Sequence, residues 1–439
     1  MRTGKLLLGL ALCLDLLNFS LTSAQSTGYV KQIITGNSGK FEFTPPYTDW
    51  VTIQSFNPET SGVNVFNTIY TQSVQSLVIT GGVAFMAAQD SIVKYDLNTM
   101  QRITAVRDSG LNQMILFNGK LIVSKQYPIT NFFVEVLDTA TLGIVAEIPG
   151  ISGDCGGIAT ASDTVYVAVN GGWMGTTGKL AVINSSSWTL NTEVDFGPEA
   201  IGIFNLYDYQ GKIVSVNRTP YGVIDTGSVT IYNPIDRSFT NVLLTHIVSS
   251  GAGVKDSLLY LGLDYGIGTF NLNELVIQDT LVVSDPGSSF FTFILSATVD
   301  TIDGRIYANI GDYITPGYCL VSALNGDSIT TFSTGISSDA IAVDYRTYPA
   351  GIPDISAAPA LMNLFPNPVL NDLTVTFNGL PDVSRLLVTD IRGSVMINQV
   401  TGSPKDISFS IPCHYLPPGM YYLILETSKG KFARPFVKQ

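Results

Sequence analysis

Histidine is nearly absent from this chain. Only His246 and His414 occur in 439 residues, too few for a His-based metal centre. Positive charge is scarce as well: 23 Lys and Arg against 35 Asp and Glu leave a net charge of −12. An acidic chain of this kind lacks the electrostatic footprint of a nucleic-acid binder. Charged residues make up 13% of the chain and hydrophobic ones 45%, which suits a folded protein rather than a disordered one. After residue 17 no stretch is apolar and long enough to span a bilayer. Cysteine is sparse. Beyond Cys13 only Cys155, Cys319 and Cys413 remain, an odd number that gives no disulfide framework. Cys155 and Cys319 pair only if the fold brings their Cα atoms within about 7 Å, so buried free thiols are the expected state. Enzyme motifs are missing too. There is no Gly-x-Ser-x-Gly elbow, no His-Glu-x-x-His helix, no zinc-spaced cluster, and no phosphate or calcium loop. No cofactor and no metal are implied.

The N-terminus reads as an export signal. Arg2 and Lys5 precede a short apolar stretch at residues 6–17. Thr22, Ser23 and Ala24 then offer a small-residue cleavage site, which places a signal peptide at residues 1–24 with cleavage between Ala24 and Gln25. Leu12 stands before Cys13 where a lipoprotein signal needs a small residue. Removing the signal moves the net charge from −12 to −13.

Residues 28–348 form a repeat array. A turn followed by a β-rich run recurs in TGGVAFMA, FNGKLIVS, ASDTVYVA, YQGKIVSV, VKDSLLYL and IDGRIYAN. The turn residues are Gly82, Gly119, Thr164, Gly211, Ser257 and Gly304, spaced by 37, 45, 47, 46 and 47. Asn-Gly and Asp-Gly favour tight hairpins because both central positions take positive φ. Each repeat continues with an apolar-x-apolar strand into an Asp/Asn-rich turn, as in SIVKYDLNTM and FVEVLDTATL, and then a last strand. Four short strands per unit of about forty-five residues bury their faces only against neighbours, which is the logic of a β-propeller. Six units are complete. A seventh is split: SDAIAVDY supplies a first strand, and KFEFTPPY, WVTIQSFNPET and GVNVFNTIY supply the rest. Joining chain ends in one blade leaves no open edge. The expectation is therefore an all-β chain with a seven-bladed propeller. Six or eight blades, or an open solenoid, are the alternatives. TVYVAVNGG and VEVLDTATLGIVAEIPG resemble the YVTN-type β-propellers, clearly in blades two and three and diffusely elsewhere.

In a propeller the loops from strand two to strand three share one face with the loops that lead into the next blade. An aromatic residue recurs in six of the seven first-type loops: Tyr127 in blade two, Trp173 in three, Tyr221 in four, Tyr265 in five, Tyr313 in six and Tyr47 in the split blade. Arg218, Asp264 and Asp312 accompany them. Rigid aromatics give contact area at little entropic cost, so the rim suits a glycan, a peptide or a small cofactor-like molecule. The plainer reading has each ring packing on its own loop. Asn112, Gln113, Asp154, Glu199 and Asp339 fall in the second loop type, near the channel mouth. An Asp followed by Ser or Thr and an aliphatic residue occurs seven times. It resembles the general O-glycosylation motif of Bacteroidetes, with acceptors Ser91, Thr139, Thr164, Ser257, Thr280, Thr301 and Ser328. The same dipeptide is ordinary turn chemistry ahead of a strand.

The last eighty residues follow a linker at 349–360. They open with LFPNPVLNDLTVTF and close with LPPGMYYLILETSKGKFARPFVK. Alternating apolar residues such as Leu373, Val375 and Phe377, punctuated by Pro and Gly, predict a small β-sandwich of immunoglobulin-like type over 361–439. The pattern resembles the type A C-terminal sorting domain of proteins exported by the type IX secretion system of Bacteroidetes. That resemblance implies the secretion machinery as partner, passage through the periplasm, and a destination outside the cell or on its outer surface. The functional expectation is non-catalytic ligand binding. The rivals are a carboxylate-based glycosidase or lyase, and a protein-protein scaffold or adhesin.

Overall fold

The computed structural model describes residues 28–223, 226–286, 293–347, 362–377, 383–391, 393–400, 408–427 and 430–439. The expected signal peptide, its cleavage site at Ala24 and Gln25, and the linker lie outside these. The chain divides into two compact units, residues 1–348 and 349–439.

The first unit is built from seven antiparallel four-stranded sheets, each ordered as a meander. Blade three is representative, with strands Cys155–Ala161, Thr164–Val169, Lys179–Asn184 and Thr189–Asp195. Its second strand is buried along nearly its whole length and its fourth is largely exposed. The local chemistry of the turns explains the repeat. Between strands one and two, Gly81-Gly82, Asn118-Gly119 and Gln210-Gly211 hold positive φ at both positions, the geometry that matches strand twist. Between strands three and four a second device recurs. An Asp or Asn side chain accepts the N–H two residues on, and usually the next N–H as well, at Asn57, Asp96, Asp138, Asn184, Asn233 and Asn271. The residue four positions later, from Ser61 to Leu275, takes positive φ in every one of these turns.

The core is distributed between blades. Seven clusters of buried apolar side chains each join two adjacent blades. Alternation on the second strand serves both neighbours: in blade one, Phe85 and Ala87 face blade two, while Ala84, Met86 and Ala88 face the closing blade. A blade thus has no core of its own, as its near-continuous apolar strand predicts.

The closing blade pairs the strand Ser338–Thr347 with Gly28–Asn37, Val51–Asn57 and Gly62–Ile69, in that order. KFEFTPPY is not one of its strands. Residues 38–50 form the loop between the second and third strands, and GYVKQIITGN takes the place expected for KFEFTPPY. The alternating Phe41 and Phe43 mimic a strand, but their rings pack on each other at 5.1 Å, with Phe43 90% exposed. Gln32 made the true strand hard to recognise. It is buried because it donates to Asp344 Oδ2 and to the Leu97 carbonyl. Across the other seam, Phe56 stacks on Phe332 of blade six at 4.0 Å and 7°.

The second unit has a three-stranded sheet, Met362–Phe365, Asp372–Phe377 and Ser408–Pro412, and a four-stranded one, Val395–Val400, Val383–Asp390, Gly419–Thr427 and Gly430–Lys438. Leu373, Val375, Leu386, Leu423, Leu425 and Phe436 pack between them, the sandwich that the alternation predicted. The strand Met362–Phe365 was not anticipated, because prolines follow it closely. Cys155, Cys319 and Cys413 are buried free thiols.

Candidate functional site

Every blade breaks register at the same place. The pairing of the innermost strand with its neighbour skips at Gln75, Asn112 and Gln113, Gly156 and Gly157, Phe204, Ser249 and Ser250, Leu295, and Asp339. A bulge frees side chains and backbone groups from the ladder, and several of them bond to the next blade. Asn112 Nδ2 donates to the Cys155 carbonyl at 2.7 Å, Gln113 Nε2 to the Gln75 carbonyl at 3.1 Å, and Ser296 Oγ to the Ser338 carbonyl at 2.8 Å. These bulges lie where each blade begins, on the same side as the loops between strands two and three. Three of the five channel-mouth residues expected from sequence (Asn112, Gln113 and Asp339) are bulge residues. Asp154 and Glu199 are not. They offer backbone carbonyls, to Asn170 N and Gly171 N and to Ser228 Oγ.

The aromatic loop residues do not form one continuous ring. Trp173 of blade three and Tyr221 of blade four meet edge to face at 5.3 Å, and both are more than 70% exposed. Tyr127 and Tyr265 are also strongly exposed, and no ring contact joins either to another aromatic among the described residues. Tyr313 packs on Phe293 at 5.5 Å, and Tyr47 on Trp50 at 5.9 Å. Two of the acidic residues serve their own loops. Asp312 accepts from Ile314 N, Thr315 N and Thr315 Oγ1, and these bonds hold its carboxyl below the usual range. Asp264 accepts from Ile247 N and contacts His246 Nδ1 at 2.6 Å. Desolvation would raise its carboxyl, but these partners outweigh it and leave it low.

Arg218 differs from both. Its Cζ lies 3.3 Å from the centre of the Phe204 ring, a stacking arrangement open to a guanidinium. Its Nε is buried without a partner, and among the described residues the guanidinium forms no ion pair or hydrogen bond. Burial pushes its pKa down to about 10. It lines a cavity of about 270 Å³ together with Trp173, Phe204, Asn112, Gln126 and Asn170. Gly202 closes the wall. A Cβ there would come within 2.2 Å of the Arg218 carbonyl, and its φ of +86° suits glycine. Phe204, Gln126 and Asn170 carry no local signal in the sequence: Phe204 is a bulge residue, visible only once the register is known, and Gln126 and Asn170 directly follow the second strands of their blades. A second cavity, of about 230 Å³, lies between blades five and six and includes Asp264, Asp285 and Phe293.

Of the seven hydroxyls in the Asp-Ser/Thr pattern, Thr280, Thr301 and Ser328 are exposed, while Ser91, Thr139, Thr164 and Ser257 are half-buried. Thr139 Oγ1 donates to the Gly119 carbonyl at 2.7 Å, a structural use of that side chain. Among the described residues no group of three or more His, Cys, Asp or Glu is placed to hold a metal ion, and no helix is long and apolar enough to cross a membrane.

Fold and tail together define a seven-bladed β-propeller carrying a secretion address. The sequence profile of the secretion system C-terminal sorting domain matches residues 363–439. The protein is therefore exported by type IX secretion to the cell surface or the extracellular space. No curated protein matches the chain. Among solved structures it is similar to a hypothetical selenium-binding protein from Sulfolobus tokodaii, with a TM-score of 0.55 and 9% identity over 72% of this chain and 93% of that one. It is also similar to U3-55K, with a TM-score of 0.49 and 12% identity over 61% of this chain and 84% of that one. The extracellular domain of BT4673 from B. thetaiotaomicron gives a TM-score of 0.46 and 12% identity over 92% of this chain and 57% of that one. At these identities the likeness concerns fold.

Proposed function

We propose that this protein is a non-catalytic binder, delivered outside the cell by its tail, that takes a glycan, a peptide or a small molecule on the loop face of the propeller. One observation carries this reading. Trp173 and Tyr221, from different blades, meet beside a cavity whose one charged liner, Arg218, has no hydrogen-bond or ion-pair partner among the described residues. Exposed rings and a buried guanidinium Nε without a partner are costly to keep in a folded protein unless a ligand offsets the cost. The YVTN-type resemblance of blades two and three suits such a role, and residues 1–24 would supply the signal for the first export step. A carboxylate enzyme is less favoured, because the bonds at Asp264 and Asp312 depress both carboxyls and leave neither poised as an acid. Trp173→Ala and Tyr221→Ala are expected to weaken ligand binding at least about tenfold each, with the melting temperature within about 2 °C of the parent. Variants that bind normally but melt earlier would make the rings packing elements and end the proposal.

A further inference from the structure

The hydrogen-bond network around the blade-three cavity leaves mainly donors over: of its three carboxamides, only Asn112 has an oxygen with no bond among the described residues. Asn112 Nδ2 donates to the Cys155 carbonyl and, at 3.3 Å, to Gln126 Oε1. That fixes the Gln126 carboxamide with its NH₂ group unused. Asn170 Oδ1 accepts from Gly172 N at 3.0 Å, which fixes the second carboxamide the same way. Asn170 is only 5% exposed, so its free NH₂ group has the cavity as its outlet. Arg218 adds a planar fork, and its Nε is buried without a partner. No carboxylate lines the cavity. Asp154 packs against Gly172 but makes no ion pair with Arg218.

We infer that this cavity binds the carboxylate of an acidic sugar, a uronic acid residue, with its ring set against Trp173. The inference rests on the binding role proposed above and names its ligand class. Two carboxylate oxygens present about four acceptor sites, which matches the guanidinium fork plus two carboxamide NH₂ groups. A single positive charge suits a monoanion better than a phosphate dianion, and the acidic chain as a whole repels heavily charged polymers. A cavity of about 270 Å³ lies just below the size that takes drug-sized ligands, so it holds one ring. Exposed Trp173, braced by Tyr221, gives that ring a flat platform. A peptide carboxylate is less favoured. Extended peptides dock by adding a strand to an open sheet edge, and the closed ring offers none at this face.

Calorimetric titration of the full chain with digalacturonate, with its uncharged counterpart galactobiose, and with a short peptide bearing a free C-terminal carboxylate tests this. Digalacturonate is expected to bind at least about tenfold more tightly than galactobiose. Arg218→Gln should level the two sugars, and Arg218→Lys, which keeps the charge, should retain part of the preference. Equal binding of the two sugars by the parent protein would overturn the inference and leave the binding face standing. So would a preference that survives Arg218→Gln, or binding of the peptide alone. Binding of none of the three would count against both readings.

Discussion

Arg237 is one of six residues that end the turn between third and fourth strands in the left-handed region, here with φ of 61°. A side chain with a Cβ is strained in that region, while glycine is not. Arg237 is exposed, so strain relief is separable from packing at this position. Arg237→Gly is expected to raise stability by about 0.5–1 kcal/mol and Arg237→Val to lower it by a similar amount, read as opposite shifts of the urea midpoint. The sequence tolerates strain here because Asn233 accepts the Ile235 N–H and the backbone bond from Arg237 N to the Asn233 carbonyl completes the turn. The Asp or Asn four residues earlier is visible in sequence. The strained residue is not, since any side chain occupies it: Met100, Leu142, Trp188 and Leu275 share nothing but position.

At the scale of the element, the bulged innermost strand ties each blade to its neighbour. Asp339 occupies the bulge of the closing strand and accepts a hydrogen bond from Ser38 Oγ. Burial pushes its carboxyl up from 3.8 to about 6, with the Ser38 bond opposing. A folded pKa above the unfolded one means that the protonated form is preferred in the native state. The stability it contributes is full below about pH 4 and is lost as pH rises through about 6. Asp339→Asn keeps an acceptor for Ser38 and cannot ionise. It should therefore be more stable than the parent at pH 8 by about 1–2 kcal/mol and lose less on going from pH 5 to 8. Parallel melting curves across that range would refute the assignment. The four-strand rhythm was legible because hairpin glycines and Asx turns leave a spacing in the sequence. The first strand of the N-terminal segment was not, because Lys31 and Gln32 interrupt its apolar run, and Gln32 is satisfied by Asp344 and the Leu97 carbonyl, both far away in sequence. The loop aromatics were legible as a recurring residue type. That Trp173 and Tyr221 pair beside a cavity depends on loop paths that no local pattern encodes.

On the scale of the whole molecule, the propeller completes itself without the tail. Its last strand, Ser338–Thr347, already pairs with Gly28–Asn37. A chain ending at residue 348 is expected to melt within about 2 °C of the full protein while failing to reach the outside of the cell, as judged by fractionation. Loss of cooperative melting would show that the tail is part of the propeller's fold. A chain ending at residue 337 lacks the innermost strand of the closing blade and should lose cooperative unfolding altogether.

Seven shared cores in a ring bear on life outside the cell, where proteases are met without chaperones. Every blade is held on both sides, so a single cut in a surface loop frees no fragment: the two pieces remain joined across two seams. Release requires both seams to open together, which is far rarer than the fraying of a chain end. The joining of first and last strands thus turns proteolytic damage from a one-hit into a multi-hit process. The exposed loops that carry the aromatic residues can be cut without the propeller coming apart.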